Sequence, residues 1–388
     1  MRILIANDGF GDAGGVQSYL DVVLAGLHAR GHALAMVHRD PEGGALRVSG
    51  AADDVPQFSV ADADLARTLE SVRAWRPDVV FSHNMNRLEV DDALADVAPV
   101  VKFMHGYFGT CIGGLKHHAF PTERPCDRVF GPACVALYLP RYCGQLSVTK
   151  LVGQYEWAVR QRRLFGVYRA LVVASEHMRR EYARHGIDAS RIHANALFPT
   201  HAAAGAAAAA EPTVAFLGRM TPLKGGDVLI RAVADASARL GRSIRLVMVG
   251  DGPVRAAWER LARDRRVEAD FVGWRHGDDR WPFLRRAHVV AVPSLWPEPF
   301  GLVGLEASAL GVPAIAFDVG GIREWLRPGR NGVLVRADPP TVDALADALT
   351  DLFRRPNDLA AMRETSLGVA RDLSVARHLD RLEAILAG

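Results

Sequence analysis

The sequence is poor in the features that assign a chain to nucleic acid, to a membrane or to export. Its 47 Lys and Arg residues nearly balance its 44 Asp and Glu residues, and the net charge of +3 is too small to indicate a nucleic-acid partner. No apolar run approaches the ~18 residues that a transmembrane helix needs. The apolar opening Arg2–Ala6 is interrupted at once by Asn7 and Asp8, so it predicts a first β-strand rather than a signal peptide. We therefore expect a cytoplasmic protein.

Cysteine is also scarce, and its spacing argues against the commonest zinc sites. The chain has four cysteines, all in one stretch rich in Gly and Pro: Cys111, Cys126, Cys134 and Cys143. None of them forms a C-x-x-C pair, the spacing typical of a zinc ligand set. A long loop nevertheless needs something to hold it. A structural zinc site or redox-labile pairs therefore remain alternatives to free thiols, which suit a reducing compartment and which we expect, with no metal bound.

The sequence does contain the pattern of alternating strands and helices that is typical of a two-domain α/β protein. A length of 388 residues predicts two domains, each with its own core. The Ala-rich stretch 200–212 has no apolar periodicity and predicts a linker between a first domain, 1–199, and a second, 213–365. In the second half, strand, turn and helix patterns repeat about every 25 to 30 residues, which is typical of doubly wound parallel sheets.

One stretch, Pro297–Glu306, carries the clearest chemical signal. It follows a run of β-branched residues, Val289–Val292, that predicts a buried parallel strand, and a helical pattern begins at Gly301. The first amides of such a helix have no internal partners and attract anions. Glu298 and Glu306 flank this helix start, and carboxylates so placed suit neutral hydroxyls better than phosphate. A phosphate between hydroxyls describes a sugar nucleotide. The alternative is a loop Glu and a solvated helix Glu.

The same residues resemble a known family. Glu298 and Glu306, in the context Pro297–Gly301, look like the E-x7-E signature of retaining glycosyltransferases of the GT-B fold, the GT4-like group 1 family. The resemblance implies that Glu298 contacts the transferred sugar and that Glu306 holds the ribose of the nucleotide. It places the donor diphosphate at the helix start, with these residues in the binding site: Phe300, Gly301, Leu302, Val303.

A second motif of that family follows the predicted strand Thr213–Leu217. Gly218-Arg219 and Lys224-Gly225 match its G-R-x-x-x-x-K-G pattern, which implies that Arg219 and Lys224 bind the donor diphosphate. The leaving group develops negative charge there, and cations fixed in advance stabilise it, so that no divalent metal is required. Two solvated surface cations are the alternative. The family also presents backbone groups to the base beside Gly273, which implies a role for Trp274.

The first half is less specific. A Gly-rich turn between the first strand and a helix predicts a Rossmann-like opening, and Gly9-x-Gly11-x-x-Gly14 keeps NAD binding open, although Asp40 stands late for a ribose ligand. The resemblance instead implies that Gly14 and Gly15 let the backbone approach the donor pyrophosphate. It also implies that His105, at the end of the predicted strand Val100–His105, contacts the donor sugar. A capping or core histidine is the alternative.

A basic aromatic helix is predicted over Gln154–Tyr168, where Arg160, Arg162 and Arg163 are interleaved with aromatic residues. Such a helix can lie on an anionic membrane face, so a peripheral membrane position at the inner leaflet stays open. The commoner alternative is a solvated Arg face above an apolar core face.

Taken together, the residues and the resemblance predict a GT-B protein: two Rossmann-like α/β domains with parallel sheets facing a deep cleft, and a C-terminal helix, 366–388, crossing back to the first domain. We expect a retaining, metal-independent hexosyltransferase without a cofactor. It would move a sugar from a UDP-sugar to a hydroxyl of a glycan, a lipid-linked glycan or a small molecule, with Glu298, His105, Arg219 and Lys224 as catalytic residues. A sugar-nucleotide epimerase, an NAD-dependent oxidoreductase and a non-catalytic GT-B protein are the alternatives.

Overall fold

A computed structural model describes residues 1–9, 15–39, 55–60, 65–201, 205, 209–336 and 338–388. The chain divides into two compact units. Unit 1 comprises residues 1–115, 128–196 and 375–388, and unit 2 comprises residues 116–127 and 197–374.

The strands in chain order are β1 (Arg2–Ala6), β2 (Ala33–His38), β3 (Gln57–Ser59), β4 (Val79–Ser82), β5 (Val100–Met104), β6 (His117–His118), β7 (Arg124–Pro125), β8 (Ala170–Val173), β9 (Ile192–Ala194), β10 (Thr213–Leu217), β11 (Arg245–Val249), β12 (Ala269–Gly273), β13 (Val289–Val292), β14 (Ala314–Phe317) and β15 (Gly332–Val335). The α-helices are α1 (Gly15–Ala29), α2 (Leu65–Trp75), α3 (Leu88–Ala95), α4 (Ala133–Tyr138), α5 (Val148–Leu164), α6 (Glu176–Arg184), α7 (Gly226–Leu240), α8 (Arg255–Asp264), α9 (Trp281–Arg285), α10 (Leu302–Ala309), α11 (Val342–Arg354), α12 (Pro356–Asp372) and α13 (Val375–Ala387).

Unit 1 is built on a seven-stranded sheet in the order β3-β2-β1-β4-β5-β8-β9. Every neighbouring pair in this sheet runs parallel. Strand β5 is buried along its whole length, as expected for a parallel sheet that helices cover on both faces. The strand order reverses direction at β1 and β4, and in open α/β sheets ligands bind beyond the carboxyl ends of the strands at such a point.

A buried ion pair lies inside unit 1. Lys102, on β5, places its Nζ 2.6 Å from Oδ2 of Asp91 on α3, and both side chains are almost wholly buried. Ser82 donates to the other oxygen of Asp91 at 2.6 Å, and Tyr168 donates to Oδ2 at 2.9 Å. A buried charge pair is tolerated when hydrogen bonds satisfy its remaining polar atoms, as they do here.

Unit 2 is built on a six-stranded sheet in the order β12-β11-β10-β13-β14-β15, again with parallel pairs throughout. Its order reverses between β10 and β13. The two motifs singled out in the second half directly follow these two strands: Gly218 comes after β10, and Pro293 comes after β13. The sheet therefore places both motifs at its ligand-binding edge.

The C-terminal helix α13 belongs to unit 1 and packs on α1. A side chain on Gly26 would lie 2.4 Å from Cδ1 of Leu379, so α13 sits directly against the backbone of α1. Tyr19 and His378 join the two helices through a 2.9 Å hydrogen bond. The return to unit 1 starts at Val375, because residue 366 lies inside α12, which remains in unit 2.

Two details differ from the sequence-based expectation. The predicted helix Gln154–Tyr168 is α5, which begins earlier, at Val148, because Ser147 caps it by accepting a hydrogen bond from the amide of Lys150. The cysteine-containing stretch is not one loop. It contains α4 and also the short hairpin β6–β7, within residues 116–127, which is part of unit 2.

Candidate active site

The centre of the candidate site in unit 2 is a contact between Lys224 and Glu298. Nζ of Lys224 lies 2.7 Å from Oε1 of Glu298. The contact depends on Gly225, which has φ +65° and whose Cβ, if it had one, would lie 1.9 Å from the carbonyl oxygen of Pro293. Glycine thus lets the turn that carries Lys224 close against the end of β13, where Glu298 follows.

Glu298 is held as a multiple acceptor. Its Oε1 accepts three hydrogen bonds, from Lys224, from Oγ of Ser294 at 2.5 Å and from Nε1 of Trp296 at 2.9 Å. The residue is only 5% exposed. Among the described residues, no hydrogen bond reaches Oε2. This arrangement fixes the carboxylate and leaves one oxygen to accept from a ligand hydroxyl.

The turn from Glu298 into α10 is shaped by glycines. Gly301, with φ +77°, precedes the first residue of α10, and Nε1 of Trp325 donates to the carbonyl of Phe300 at 2.7 Å. Gly320, with φ +59°, lies so close that a Cβ would be 2.2 Å from the carbonyl oxygen of Glu298. The amides of Leu302 and Val303 open α10, and the first amides of a helix have no intrahelical acceptors. The N-terminus of α10 thus follows closely after Glu298 and its contact with Lys224, and a helix N-terminus is a binding site for phosphate groups.

Glu306, the fifth residue of α10, is engaged by residues that the sequence did not indicate. Its Oε1 accepts from Oγ1 of Thr200 at 2.8 Å and lies 3.5 Å from Nη2 of Arg280. His201 Nε2 lies 3.1 Å from its backbone oxygen. Burial raises the pKa of the Glu306 carboxyl, and Arg280, Thr200 and His201 oppose that rise. Here too, within the described part of the chain, the second carboxylate oxygen accepts no hydrogen bond.

Arg219 and Trp274 lie at the same edge of the sheet without joining these contacts. Arg219 follows β10 and is exposed, and no ion pair to it exists among the described residues. Trp274 follows β12 and is 47% exposed, after Gly273 with φ +76°. Both side chains are therefore accessible to a ligand.

In unit 1, His105 forms a pair with a second histidine. Nε2 of His105 lies 2.9 Å from Nδ1 of His83, and its ring stacks on Phe103 with centroids 4.5 Å apart. Burial, and then the charge of Lys102, lower the pKa of His105 to about 3. Burial, His105 and Lys102 hold the pKa of His83 well below its usual range. Both rings are thus neutral near pH 7, and Nε2 of His83 is buried without a partner among the described residues.

The remaining predicted residues of unit 1 are less informative. Gly15 is the first residue of α1, and a Cβ there would meet nothing within 4 Å, so packing does not require glycine. Gly14 lies outside the described residues, as does the Gly11 of the NAD pattern. The four cysteines form no disulfide in the structure, and the described residues contain no cluster of three or more His, Cys, Asp or Glu side chains arranged to hold a metal. No described helix has the length and apolarity needed to cross a membrane.

The part of the chain that carries this site is similar to a known protein family. Residues 199–367, which contain Lys224, Glu298 and Glu306, match the family model described as glycosyl transferases group 1. Residues 199–367 are thus similar to the group 1 glycosyltransferases. The resemblance stated from the two motifs is therefore confirmed.

Relatives at the sequence level carry glycosyltransferase names. A D-inositol 3-phosphate glycosyltransferase of Nocardia farcinica is 40% identical over 155 residues, covering 37% of this chain and 34% of the relative. One of Corynebacterium glutamicum is 36% identical over 181 residues, covering 44% of this chain and 42% of the relative. The matched region thus spans between a third and a half of the length of these relatives.

Similarity to solved structures extends over the whole length of this chain. The Anabaena protein HepE in complex with UDP superposes with a TM-score of 0.74 at 18% identity, covering 100% of both chains. The lipopolysaccharide outer core galactosyltransferase WaaB in its apo form superposes with a TM-score of 0.68 at 14% identity, covering 100% of this chain and 99% of that one. At such identities the likeness shows the fold, and it confirms the predicted GT-B fold.

The sequence singled out Glu298, Glu306, Arg219 and Lys224, and the structure brings Lys224 and Glu298 into contact, but the sequence did not indicate the other partners of the two carboxylates. Ser294 and Trp296 lie within four residues of Glu298, and a search for donors near that carboxylate could have found them. No sequence signal connects Thr200 or Arg280 with Glu306. His83 had a signal that was overlooked, because it follows strand β4 as His105 follows β5.

Proposed function

We propose that this protein is a retaining glycosyltransferase that moves a hexose-type sugar from a UDP-sugar to a hydroxyl acceptor, without a metal ion, and forms an α-glycosidic bond. The contact between Lys224 and Glu298 beside the N-terminus of α10 carries the proposal. It combines a cation for the diphosphate with an acidic group for the neighbouring sugar, inside a group 1 glycosyltransferase domain.

The chain supplies the charge that the leaving group needs. Lys224 and Arg219 are the cations proposed for the diphosphate, and the amides of Leu302 and Val303 add donors at the positive end of α10. Preorganised donors of this kind stabilise charge that develops as the bond to the sugar breaks. The acceptor hydroxyl would attack from the face that the diphosphate leaves, and a phosphate oxygen would take its proton.

The two carboxylates would bind the sugars on either side of the diphosphate. Oε2 of Glu298 is the acceptor proposed for a hydroxyl of the transferred sugar, because three donors already fix Oε1. The free oxygen of Glu306 is the acceptor proposed for the ribose, with Thr200 and Arg280 fixing the other oxygen. Trp274 is proposed to lie beside the base. The roles of Gly14, Gly15 and His105 remain predictions.

UDP is the proposed nucleotide because HepE was solved with UDP and with UDP-glucose, although at identities that support the fold alone. The acceptor is proposed only as a hydroxyl compound, namely a glycan, a lipid-linked glycan or a small molecule.

The test is a thermal-shift series on the full chain with UDP, UDP-glucose and NAD. We expect UDP and UDP-glucose to raise the Tm, also in the presence of EDTA, because a ligand that binds only the folded state stabilises it. NAD should have no effect. Lys224→Ala should remove the shift, whereas Arg265→Ala, an exposed cation elsewhere in unit 2, should keep it.

Three outcomes would contradict the proposal. A Tm shift with NAD and none with UDP would favour an oxidoreductase. Conversion of the UDP-sugar into another UDP-sugar, with no glycoside formed, would favour an epimerase. A β-linked product, detected by the anomeric proton coupling in NMR, would contradict retention.

A further inference from the structure

Unit 1 exposes a concentrated group of apolar side chains around α4 and the start of α5. Ten large hydrophobic side chains are exposed among the described residues, and six of them lie between residues 129 and 152. Leu146 is 64% exposed, Val148 63% and Val152 50%. We call these six side chains the α4–α5 surface: Val129, Val135, Tyr142, Leu146, Val148 and Val152. Scattered single apolar residues need no explanation, but a group of this density indicates an interaction site.

Helices α4 and α5 already bury other apolar side chains between them, so the exposed ones are not needed for that packing. Phe130, Tyr138 and Leu151 are buried together in one cluster, and Tyr138 donates to Oε1 of Gln154 at 2.7 Å, joining α4 to α5. Val148 and Val152 are one turn apart on α5, and residues at this spacing share a helix face. Val148 and Val152 are therefore exposed on one face of a helix whose other side chains already pack in the buried cluster.

The segment 128–155, which carries the α4–α5 surface, contains positively charged side chains and no negatively charged ones. Residues 128–155 contain no Asp or Glu, but they contain three cations, Arg128, Arg141 and Lys150. The first acid that follows is Glu156, and exposed Arg160 and Arg163 lie further along α5. The stretch itself therefore carries a net charge of +3, and the acids Asp127 and Glu156 flank it at its two ends.

We propose that the α4–α5 surface binds the face of a bilayer that contains anionic lipids. The aliphatic side chains enter the boundary between headgroups and acyl chains, and the three cations meet lipid phosphates. Apolar side chains with Lys and Arg beside them are the combination that holds peripheral proteins in this boundary. Long basic side chains can also keep their charge in the headgroup layer while their stems lie on apolar surface.

The position differs from the one that the sequence suggested. The basic aromatic pattern pointed to Gln154–Tyr168, but in that range Ala158, Gln161, Leu164 and Tyr168 are buried in unit 1. The apolar exposure is instead concentrated before residue 153. The proposal does not depend on the chemistry proposed for unit 2, because each of its residues lies in unit 1.

The contribution of the three cations to vesicle affinity can be calculated approximately. A Lys or Arg close to an anionic membrane surface strengthens binding about fivefold, so three of them would separate anionic from neutral vesicles by about a hundredfold. Exposed charges are screened by salt, so the preference should shrink as ionic strength rises.

The experiment is co-sedimentation of the full chain with phosphatidylcholine vesicles, with and without about one third phosphatidylglycerol. Wild type should bind the anionic vesicles at least tenfold more tightly than the neutral ones. The variant Leu146→Ser, Val148→Ser, Val152→Ser should weaken binding to anionic vesicles at least tenfold through lost insertion. The pair Arg141→Gln, Lys150→Gln should weaken it about twentyfold through lost charge.

Matched controls separate this surface from the rest of the molecule. Val167→Ser removes an exposed apolar residue outside it, and the pair Arg265→Gln, Arg371→Gln removes two exposed cations of unit 2, so both should bind as wild type does. Unchanged thermal unfolding in each variant excludes loss of the fold. Equal binding to neutral and anionic vesicles, or equal losses in the controls, would overturn the proposal. So would concentration-dependent dimers that the triple variant abolishes, because the surface would then bind a second copy. Vesicle-independent binding to an acidic protein, without any binding to vesicles, would overturn it as well.

Discussion

Lys224 and Glu298 are separated by 74 residues in sequence, yet their side chains meet at 2.7 Å. The contact lies on one carboxylate oxygen, which also accepts from Ser294 and Trp296. Lys224 can therefore turn toward a diphosphate without leaving that oxygen unpaired. A carboxylate that keeps its position while its cation moves is suited to binding the sugar next to that diphosphate.

Glu298→Gln should separate turnover from nucleotide binding. The amide keeps the size of the side chain but loses the charge that the three donors stabilise, and the position of the acceptor oxygen is no longer fixed. We expect kcat with a UDP-sugar donor to fall by about a hundredfold, because the interaction is used in the transition state. Affinity for UDP, measured by calorimetry, should change less than about threefold. Glu259→Gln, which alters a Glu paired with Arg255 on the surface of unit 2, is the matched control and should leave kcat unchanged.

Glu306→Gln should weaken donor binding without weakening the fold. Because burial raises the pKa of Glu306, the folded state holds its proton more tightly than the unfolded chain, and ionisation opposes folding above that pKa. Stability linked to this group is therefore gained as the pH falls through the raised pKa. The variant should gain stability relative to wild type at pH 7.5, and this advantage should shrink at pH 5, as urea unfolding at both values would show.

The same substitution should reduce affinity for UDP by about tenfold, since a hydrogen bond to a charged acceptor contributes roughly 1.5 to 3 kcal/mol. A variant that binds UDP as wild type does would contradict the ribose role, and one that is less stable at pH 7.5 than at pH 5 relative to wild type would contradict the electrostatic argument.

The parts of this structure that the sequence predicted are those with a local physical signature. Strand β13 coincides with the apolar run Val289–Val292, because strands buried on both faces need nearly continuous apolar side chains. Lys224 and Glu298 were expected in one site because of the family resemblance, and the structure brings them together because both motifs follow strands at the same edge of the sheet. The start of α5 was missed because Val148 and Gly153 weaken the helical pattern there, although Ser147 is a good cap.

The parts that the sequence did not predict depend on contacts between distant residues. Arg280 reaches Glu306 from a short helical turn without any periodic pattern. The hairpin of β6 and β7 has strands of two residues, too short for an alternation to be visible, and only the folded chain shows that it packs with unit 2. The pairing of His83 with His105 requires β4 and β5 to be neighbours, which the strand order decides.

His105→Gln should make the protein less sensitive to mild acid. With a folded pKa of about 3, His105 stays neutral, whereas in the unfolded chain it takes up a proton near its usual pKa. The folded state therefore loses stability as the pH falls below that usual value. Between pH 7.5 and pH 5 this group should cost about 2 kcal/mol of unfolding free energy, and the variant should lose correspondingly less. Urea unfolding at the two values measures it. His288→Gln, whose pKa burial also lowers, tests whether any buried histidine has the same effect.

Removing one member of the Lys102–Asp91 ion pair should destabilise the fold more than removing both. Lys102→Met leaves the Asp91 carboxylate buried with hydrogen bonds but no cation, and breaking a buried pair from one side costs about 3 to 5 kcal/mol. The double variant Lys102→Met, Asp91→Asn removes both charges and should recover most of that loss. Urea unfolding of the two variants gives the comparison. Equal stability of the single and double variants would show that the charge of Asp91 is not what destabilises the single one.

Gly320→Ala should disturb the site through the backbone of Glu298. The added Cβ would lie 2.2 Å from the carbonyl oxygen and 2.5 Å from the amide nitrogen of Glu298, and backbone atoms cannot move aside as a flexible side chain does. Gly321 donates to that same carbonyl at 2.7 Å, so a shift would also break a hydrogen bond of the turn. We expect a loss of more than about 2 kcal/mol of unfolding free energy and a loss of UDP binding.

Gly329→Ala is the matched control for this substitution. Gly329 has φ +77°, close to the φ of Gly320, but a Cβ there would meet nothing within 4 Å. It should lose only the roughly 1 to 2 kcal/mol that a left-handed conformation costs a residue with a Cβ, and it should bind UDP as wild type does. If the two variants lost equal stability and both still bound UDP, the contact between Gly320 and Glu298 would not be what fixes the carboxylate.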